Sequence, residues 1–319
     1  MDKKDSRILT ELMINSRIPI SRLGKKVGLS REVVNYRLEK LKKDKIILGF
    51  YAIVNTEYLG YNTHTCFFQL KGVNKEKEKE IIENLKKNDF ITYLGPTIGK
   101  WNVVFDLLVK DRKQLEEKIK EIIKNISSNL ENYLIINTGA EKESFPTKIL
   151  GVKKYIAYSE SKEGVKLDKT DLKILELLSE NSRIEYKEIS KKINLTGNAI
   201  KYRIKNLENN GIIQGYTISI DVRKFDYEWY NLQIKFNSIN KENELKLFLK
   251  EHKNVIYFYK YLGNENWDVD IGLIAKTSSE LRDFILKLRE KFGDNAKIND
   301  IYIVAEELKG NHAPKGVFS

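Results

Sequence analysis

The sequence predicts an α+β protein made of two tandem copies of one unit. Three observations support this: a repeat at an offset of 166 residues, helical periodicity at the start of each copy, and alternating strand and helix patterns in the remainder. When residues 5–50 are placed against residues 171–216, 17 of the 46 positions are identical without a gap. A period this long indicates duplicated domains, because the repeats of solenoids run only about 20–50 residues.

The composition of the 319 residues fits a folded chain with more than one core, at 41% hydrophobic and 32% charged residues. No apolar run approaches the roughly 18 residues of a membrane span, and no apolar segment follows the N-terminal lysines. We therefore expect a cytoplasmic location. The single cysteine, Cys66, excludes an intramolecular disulfide and is expected to be buried in a strand. The net charge of +12 favours a polyanionic partner such as nucleic acid.

The first third of each copy has the pattern of three short helices. Gly28 and Asn194 follow the second helix, and these residue types accept the left-handed conformation that ends a helix. Ser30 and Thr196 stand two residues later, where a hydroxyl caps the start of a third helix. Three short helices with a tight turn before the third predict a helix-turn-helix. An alternating apolar stretch then predicts a strand and wing.

The third helix of each copy is predicted to contact double-stranded DNA. Its inner stripe is expected to include Val33 and Val34, and its outer face mixes Arg, Asn, Lys and Tyr, which bond base edges and phosphates. The alternative is an ordinary charged solvent face. For Arg37 and Arg203 two roles stay open, a phosphate contact or an ion pair between helices. The predicted DNA-binding residues are Ser30, Arg31, Glu32, Asn35, Tyr36, Arg37 and Lys40 in the first copy and Thr196, Asn198, Lys201, Tyr202 and Arg203 in the second.

The two helix-turn-helix segments differ in charge. Residues 2–50 hold 13 Lys and Arg against 6 Asp and Glu, a net charge of +7, whereas residues 168–216 hold 9 against 7, a net charge of +2. Because phosphate neutralisation dominates the affinity for DNA, we expect the first segment to bind DNA more strongly.

The rest of each copy shows the order β-α-β-β-α-β, which is the ferredoxin-like pattern. The fold class is therefore α+β, with two tandem units that each combine a winged helix-turn-helix and a ferredoxin-like domain. The predicted domains are a helix-turn-helix domain at 1–55, a ferredoxin-like effector and dimerisation domain at 62–145, a linker at 146–167, a second helix-turn-helix domain at 168–221 and a second ferredoxin-like domain at 228–308.

The pattern "D..IL..L..N.R", followed by "LS" or "LT", "R...L" and "GII" or its like, resembles the Lrp/AsnC family of transcription regulators. The resemblance covers almost the whole chain, twice. It implies a DNA-binding regulator that dimerises through its ferredoxin-like domains and often senses an amino acid. The family commonly carries Gly-x-Tyr-Asp near its effector pocket; this chain has Trp in place of Tyr in both copies, and core packing is the alternative role of these residues. The positions that match are Gly99, Trp101 and Asn102 in the first copy and Trp267 and Asp268 in the second.

We therefore expect a sequence-specific transcription regulator, with no enzymatic activity, no cofactor and no metal. Its expected partners are double-stranded DNA and a small-molecule effector, with assembly as a homo-oligomer or as an intramolecular pseudo-dimer. One alternative is a fused enzyme that resembles siroheme decarboxylases, which are paired subunits of this fold with a histidine-rich site. It is disfavoured because His64, His252 and His312 stand at unrelated positions in the two copies. His64 and His252 are expected to be plain surface residues. Another is a metabolite-sensing interaction module without DNA binding.

Overall fold

The computed structural model of the chain describes residues 1–152, 164–237, 241–261 and 264–318, so part of the predicted linker at 146–167 lies outside it. The α-helices are α1 (Lys3–Ile14), α2 (Ile20–Val27), α3 (Arg31–Lys43), α4 (Lys75–Lys86), α5 (Arg112–Ile126), α6 (Lys169–Glu180), α7 (Tyr186–Ile193), α8 (Gly197–Asn209), α9 (Glu242–Glu251) and α10 (Ser278–Phe292). The strands are β1 (Ile47–Val54), β2 (Asn62–Leu70), β3 (Ile91–Ile98), β4 (Val103–Val109), β5 (Leu130–Ser144), β6 (Ile213–Ile220), β7 (Glu228–Phe236), β8 (Val255–Tyr261), β9 (Val269–Ala275), β10 (Ala296–Val304) and β11 (Lys309–Gly310). This order confirms the α+β class.

The chain forms two compact units, and each unit contains one segment of the first repeat and the corresponding segment of the second. One unit contains Met1–Tyr61, the second helix-turn-helix up to Asp221, and the C-terminal segment from Gly310. The other contains the first ferredoxin-like domain from Asn62 and the second within Val222–Lys309. None of the helices in the described ranges combines the length and the apolar character that crossing a membrane requires.

The helix-turn-helix segments form as their turn residues predict. Gly28 and Asn194 adopt φ values of 66° and 53°, the left-handed conformation that ends α2 and α7. The Ser30 hydroxyl accepts the backbone N–H of Val33, and the Thr196 hydroxyl caps α8 in the same way. Val33 corrects the prediction for the inner stripe, because 40% of it is exposed on the outer side of α3. Its neighbour Val34 is fully buried, as predicted.

The strand that follows each helix-turn-helix pairs with its counterpart from the other repeat. β1 and β6 form an antiparallel two-stranded sheet in which Phe50 lies opposite Ile218 and Tyr51 opposite Thr217. Ala52 of β1 packs into the apolar core of the second helix-turn-helix. The two segments therefore share a sheet and part of a core.

The ferredoxin-like domains occupy the second unit and join into one sheet. The strand order is β5-β2-β4-β3 in the first domain and β10-β7-β9-β8 in the second. β5 extends past its own domain to pair with β8, and β10 pairs with β3 through Ile303 and Ile98. Both edge strands of each domain thus pair with an edge strand of the other domain. The eight strands β2–β5 and β7–β10 therefore close into a ring. α4, α5, α9 and α10 pack against their own domain's strands on the face that carries its apolar core.

The inner face of this ring is aromatic and polar. Alternate residues of each strand point away from the helices, and Phe67, Trp101, Trp267 and Tyr302 form a buried cluster there. Cys66 points the other way, into the helix-covered core of the first domain, and is fully buried as predicted.

Candidate nucleic-acid interface

The third helix of each copy presents its predicted polar face to solvent. Tyr36 of α3 and Tyr202 of α8, which are equivalent in the repeat, are 70% and 68% exposed. A tyrosine this exposed buries little apolar surface in the fold, so its ring is available to a partner. The other exposed predicted residues on these two helices and their N-caps are Ser30, Arg31, Glu32, Asn35 and Lys40 in the first copy and Thr196, Asn198 and Lys201 in the second. Both faces are therefore accessible for contacts with DNA.

Arg37 and Arg203 make the ion pair that the sequence left open. The Nη1 atom of Arg37 donates to Asp2 Oδ2 at 2.6 Å and to Asp5 Oδ1 at 2.8 Å. Arg203 repeats this contact with Asp168 and Asp171 at 2.9 and 2.8 Å. In each copy the arginine thereby ties the third helix to the N-terminus of the first. These geometries favour the structural role over the phosphate contact.

The two helix-turn-helix segments are joined by a reciprocal contact built from the repeated Asn-Ser-Arg-Ile. The hydroxyls of Ser16 and Ser182 lie 2.6 Å apart and are both buried. Arg17 Nη1 donates to the carbonyl oxygens of Ser182 and Ile184 at 2.5 and 3.1 Å. Arg183 Nη1 donates to the carbonyl oxygens of Ser16 and Ile18 at 2.6 and 3.2 Å. We call these four side chains, Ser16, Arg17, Ser182 and Arg183, the seam.

Each arginine of the seam also lies over an aromatic ring of the other copy. The Arg17 guanidinium lies 5.0 Å from the centre of the Tyr186 ring, and the Arg183 guanidinium lies 5.7 Å from the centre of the Phe50 ring. Burial and the nearby charge of Arg17 lower the pKa of Arg183, but a guanidinium stays charged at neutral pH. The seam thus has the pseudo-twofold symmetry that places the two third helices as a pair.

The repeated Asn-Ser-Arg-Ile is visible in the sequence, but the sequence alone does not show that the two copies of this segment contact each other. Asn15 and Asn181, which begin the repeated segment, each terminate a helix as its C-cap. The sequence Asn-Ser-Arg-Ile is identical in the two copies because these segments contact each other. In a symmetric contact each copy must present the same side chains to the other.

The predicted effector positions divide between backbone support and core packing. The Asn102 side-chain oxygen accepts the backbone N–H of Leu70 at 2.7 Å, and Asp268 accepts that of Phe236, which is equivalent to Leu70, also at 2.7 Å. Gly99 has a φ of 149°, and a Cβ atom there would lie 3.0 Å from the Cβ of Tyr302.

Replacing Asn102 with alanine is expected to lower the free energy of unfolding by about 1–3 kcal/mol, because the Leu70 N–H would lose its partner in a partly buried position. Asn102→Asp keeps an acceptor oxygen and introduces the residue type that the second copy has at Asp268. The free energy of unfolding of this variant is expected to stay close to that of the parent protein. Urea denaturation measures both values. Equal losses for the two variants would show that this bond does not support the fold.

Trp101 and Trp267 lie in the core of the ring, at 3% and 2% exposure. Both pack against Phe67, with ring centres 5.7 and 5.5 Å apart. This arrangement agrees with the core-packing alternative, while a role in effector binding stays a prediction.

His64 and His252 depart from the expectation that they are surface residues. His64 is half-buried in β2. His252 ends α9 and packs edge-on against Phe284, with ring centres 4.9 Å apart, and burial lowers its pKa from 6.5 to about 4. The sequence could not show this, because the covering residue comes from α10.

We expect the fold to lose stability as the pH falls from about 6.5 to about 4. In this window the unfolded chain protonates His252 while the folded chain keeps it neutral, and the loss is about 1–2 kcal/mol after allowing for partial exposure. His252→Phe should remove this contribution to the pH dependence, whereas His312→Gln in the exposed part of the C-terminal segment should retain it. Urea denaturation at both ends of the window tests this; an unchanged pH dependence in His252→Phe would contradict it.

Known proteins match both repeats. The model of the AsnC-type helix-turn-helix domain matches residues 1–42, and that of winged helix-turn-helix DNA-binding domains matches residues 167–214. The HTH-type transcriptional regulator LrpA of Pyrococcus horikoshii is 32% identical over 143 residues, which are 45% of this chain and 99% of that protein. The HTH-type transcriptional regulator LrpB of Bacillus subtilis is 28% identical over 148 residues, which are 46% and 95%.

A solved structure matches the chain along nearly its full length. The siroheme decarboxylase NirDL, in co-complex with an iron-uroporphyrin III analogue, has a TM-score of 0.65 and covers 99% of this chain and 95% of its own. Its identity is 15%, so the likeness shows the fold. This finding overturns the expectation that the chain is not an enzyme: an enzyme has the same tandem fold, and the small number of histidines was not sufficient evidence for exclusion.

The two matched helix-turn-helix models begin at residues 1 and 167, and each of these regulators is matched over nearly its whole length by less than half of this chain. The chain belongs to the Lrp/AsnC family of transcription regulators and carries the family's unit twice in tandem.

Proposed function

We propose that the protein is a sequence-specific, double-stranded-DNA-binding transcription regulator in which one chain presents both helix-turn-helix segments as a pair. The observation that carries this proposal is the seam, in which Arg17 and Arg183 each donate to two carbonyl oxygens of the other copy. Helix-turn-helix regulators read two half-sites through dimer symmetry. A chain that contains the pair within itself supplies both third helices without a second molecule.

The two halves of the site that the protein reads are proposed to be unequal. Position 31 is arginine in α3 but its equivalent in α8 is Gly197, and Asn35 is replaced by Lys201. Arginine and asparagine make the bidentate contacts that recognise guanine and adenine, respectively. Together with the charge difference of +7 against +2, this supports a strong half-site for α3 and a weaker one for α8.

A small-molecule effector and a cytoplasmic location complete the proposal. The effector is supported by membership of the family, and regulation of transcription requires the compartment that holds the chromosome. Assembly beyond one chain is a further option that the paired helix-turn-helix segments do not require.

The experiment is selection from sheared genomic DNA of the source organism at about 50 mM and about 200 mM salt, followed by sequencing of the bound fragments. We expect a few upstream regions that share a bipartite motif with unequal halves. Strong binding without enrichment would mean a non-specific role. The absence of binding at both salt concentrations would overturn the proposal and favour a metabolite-sensing interaction module.

A second candidate function is a decarboxylase that acts on a tetrapyrrole. One observation favours it, the correspondence of the whole tandem chain with siroheme decarboxylase NirDL. Titration of the protein with an iron-uroporphyrin III analogue, followed by absorbance spectroscopy, tests it. A shifted tetrapyrrole band that saturates at one equivalent supports this function, and an unchanged spectrum rejects it.

A further inference from the structure

The inner face of the second ferredoxin-like domain contains polar side chains without partners. Gln233 of β7 lies directly opposite Asp270 of β9 in the sheet, and the two residues are 0% and 2% exposed. Within the described part of the chain, Asp270 Oδ1 and both polar atoms of the Gln233 amide have no hydrogen-bond partner. Buried polar atoms are nearly always bonded, so three unpaired atoms on two neighbouring residues point to a partner that the described side chains do not supply.

The electrostatic environment of Asp270 favours a cation. Burial raises the pKa of Asp270 well above its usual value, and the nearby carboxylates of Asp106 and Asp300 raise it further. The Tyr302 hydroxyl donates to Asp270 Oδ2 at 3.2 Å, and this is a neutral partner. The surrounding side chains therefore offer Asp270 no counter-charge, and a positively charged ligand would supply one.

Aromatic side chains lie on the same inner face as this polar pair. Tyr259 lies opposite Asp270 on the adjacent strand, and its ring stacks on that of Tyr257 at 4.7 Å between centres. Trp229 meets Tyr257 edge-on at 5.9 Å, and its indole N–H donates to Asn231. Rings grouped around a carboxylate are the arrangement by which proteins recognise organic cations, because the faces of the rings carry negative charge density.

The first repeat does not contain this polar pair. At the equivalent positions it has Phe67 in place of Gln233 and Val104 in place of Asp270, and both belong to the apolar cluster. A homodimer of single-copy chains would have the same side chains in both halves. Among the described residues, this pair of neighbouring side chains with unpaired polar atoms therefore occurs in only one half of the ring, which a requirement for packing alone does not explain.

We propose that the inner face of the second ferredoxin-like domain binds a small organic cation, with an ammonium or guanidinium group held between Asp270 Oδ1 and Gln233 Oε1. The Gln233 Nε2 donor adds a requirement for an acceptor oxygen on the ligand, as in a hydroxylated or amide-bearing amine. A free carboxylate is disfavoured by the acidic surroundings. The site lies outside the helix-turn-helix unit, so the proposal does not depend on DNA binding.

Thermal-shift and calorimetric titration of the full chain with ethanolamine, agmatine and choline, and with glycine, leucine and methionine for comparison, test the proposal. We expect at least one of the amines to raise the melting temperature and the three amino acids to leave it unchanged. No shift with any of the amines overturns the proposal, since the unpaired atoms would then be served by water.

Two variants locate the site. Asp270→Asn and Gln233→Leu are each expected to weaken binding by about tenfold or more, because each removes an acceptor from a buried contact. Asp283→Asn changes a carboxylate to an amide on the exposed surface of α10 and should bind like the parent. If Asp270→Asn fails to fold, Gln233→Leu decides the matter, and a folded variant of either residue that binds with parental affinity overturns the proposal.

Discussion

Replacing Arg17 and Arg183 together with alanine is expected to separate the two helix-turn-helix segments. Each guanidinium donates to two carbonyl oxygens of the other copy and lies over one of its aromatic rings. One hydrogen bond from a charged donor contributes about 1.5–3 kcal/mol, so even one such bond for each arginine stabilises the pair by roughly 3–6 kcal/mol. This is comparable to the whole stability of a small domain. Calorimetry should show the loss as a lower melting temperature.

The same double variant should weaken binding to a bipartite DNA site by about a hundredfold, while single half-sites are bound as by the parent. The matched control is Arg7→Ala, which removes an exposed hydrogen bond from Arg7 to the Lys26 carbonyl within one copy. We expect the control to change neither the melting temperature nor the affinity. An unchanged melting temperature in the Arg17/Arg183 double variant would show that β1 and β6 hold the pair without the arginines.

Removing two charges from α3 is expected to reduce DNA affinity more than removing two charges from α8. The first pair of substitutions is Arg31→Gln with Lys40→Gln, and the second is Lys201→Gln with Lys205→Gln. All four residues are exposed, so the fold should tolerate both variants. Base and phosphate contacts contribute about 1–3 kcal/mol each, so two of them contribute roughly 2–6 kcal/mol. This predicts a loss of roughly thirtyfold to ten-thousandfold for the α3 variant and a loss at least tenfold smaller for the α8 variant.

Titration of a labelled duplex at several salt concentrations measures this difference. The slope of log affinity against log salt should fall by about two for the α3 variant if both of its charges contact phosphates. Equal losses of DNA affinity in the two variants would contradict the prediction that the first helix-turn-helix segment binds DNA more strongly than the second. Deleting residues 1–55 is a less suitable test, because it would also remove β1 and leave β6 without its partner.

The turn chemistry of the helix-turn-helix segments was predictable because it depends on neighbouring residues. Gly28, Asn194, Ser30 and Thr196 each act through their own backbone or the first turn of the next helix, and the structure confirms all four. The ferredoxin-like order was predictable from the alternation of strand and helix patterns for the same reason.

The contacts between the two copies could not be predicted from the sequence, because the periodicity of apolar residues does not show which strand pairs with which. The stretch that predicted a strand and wing finds its partner in the other repeat, and β5 extends to pair with β8. The position of Val33 shows a smaller limit of this kind. An apolar residue at the edge of the helical stripe is buried only if a neighbouring element reaches it, and at α3 none in the described structure covers it fully.

The candidate site was only partly predictable. The exposed residues of α3 and α8 follow from the helical spacing, but the roles of Asn102 and Asp268 do not, since their partners Leu70 and Phe236 come from other strands. The inner polar pair of Gln233 and Asp270 gave no sequence signal, because the pairing of β7 with β9 places them together.

A hydroxyl-radical footprint of the protein on its selected DNA site tests the central claim most directly. A chain that presents two paired helix-turn-helix segments should protect two segments of the duplex within one site, with the stronger protection over the half-site read by α3. The Arg17/Arg183 double variant should lose the weaker of the two. A single protected segment in the parent protein would contradict the account, because it would mean that only one of the paired helices contacts DNA.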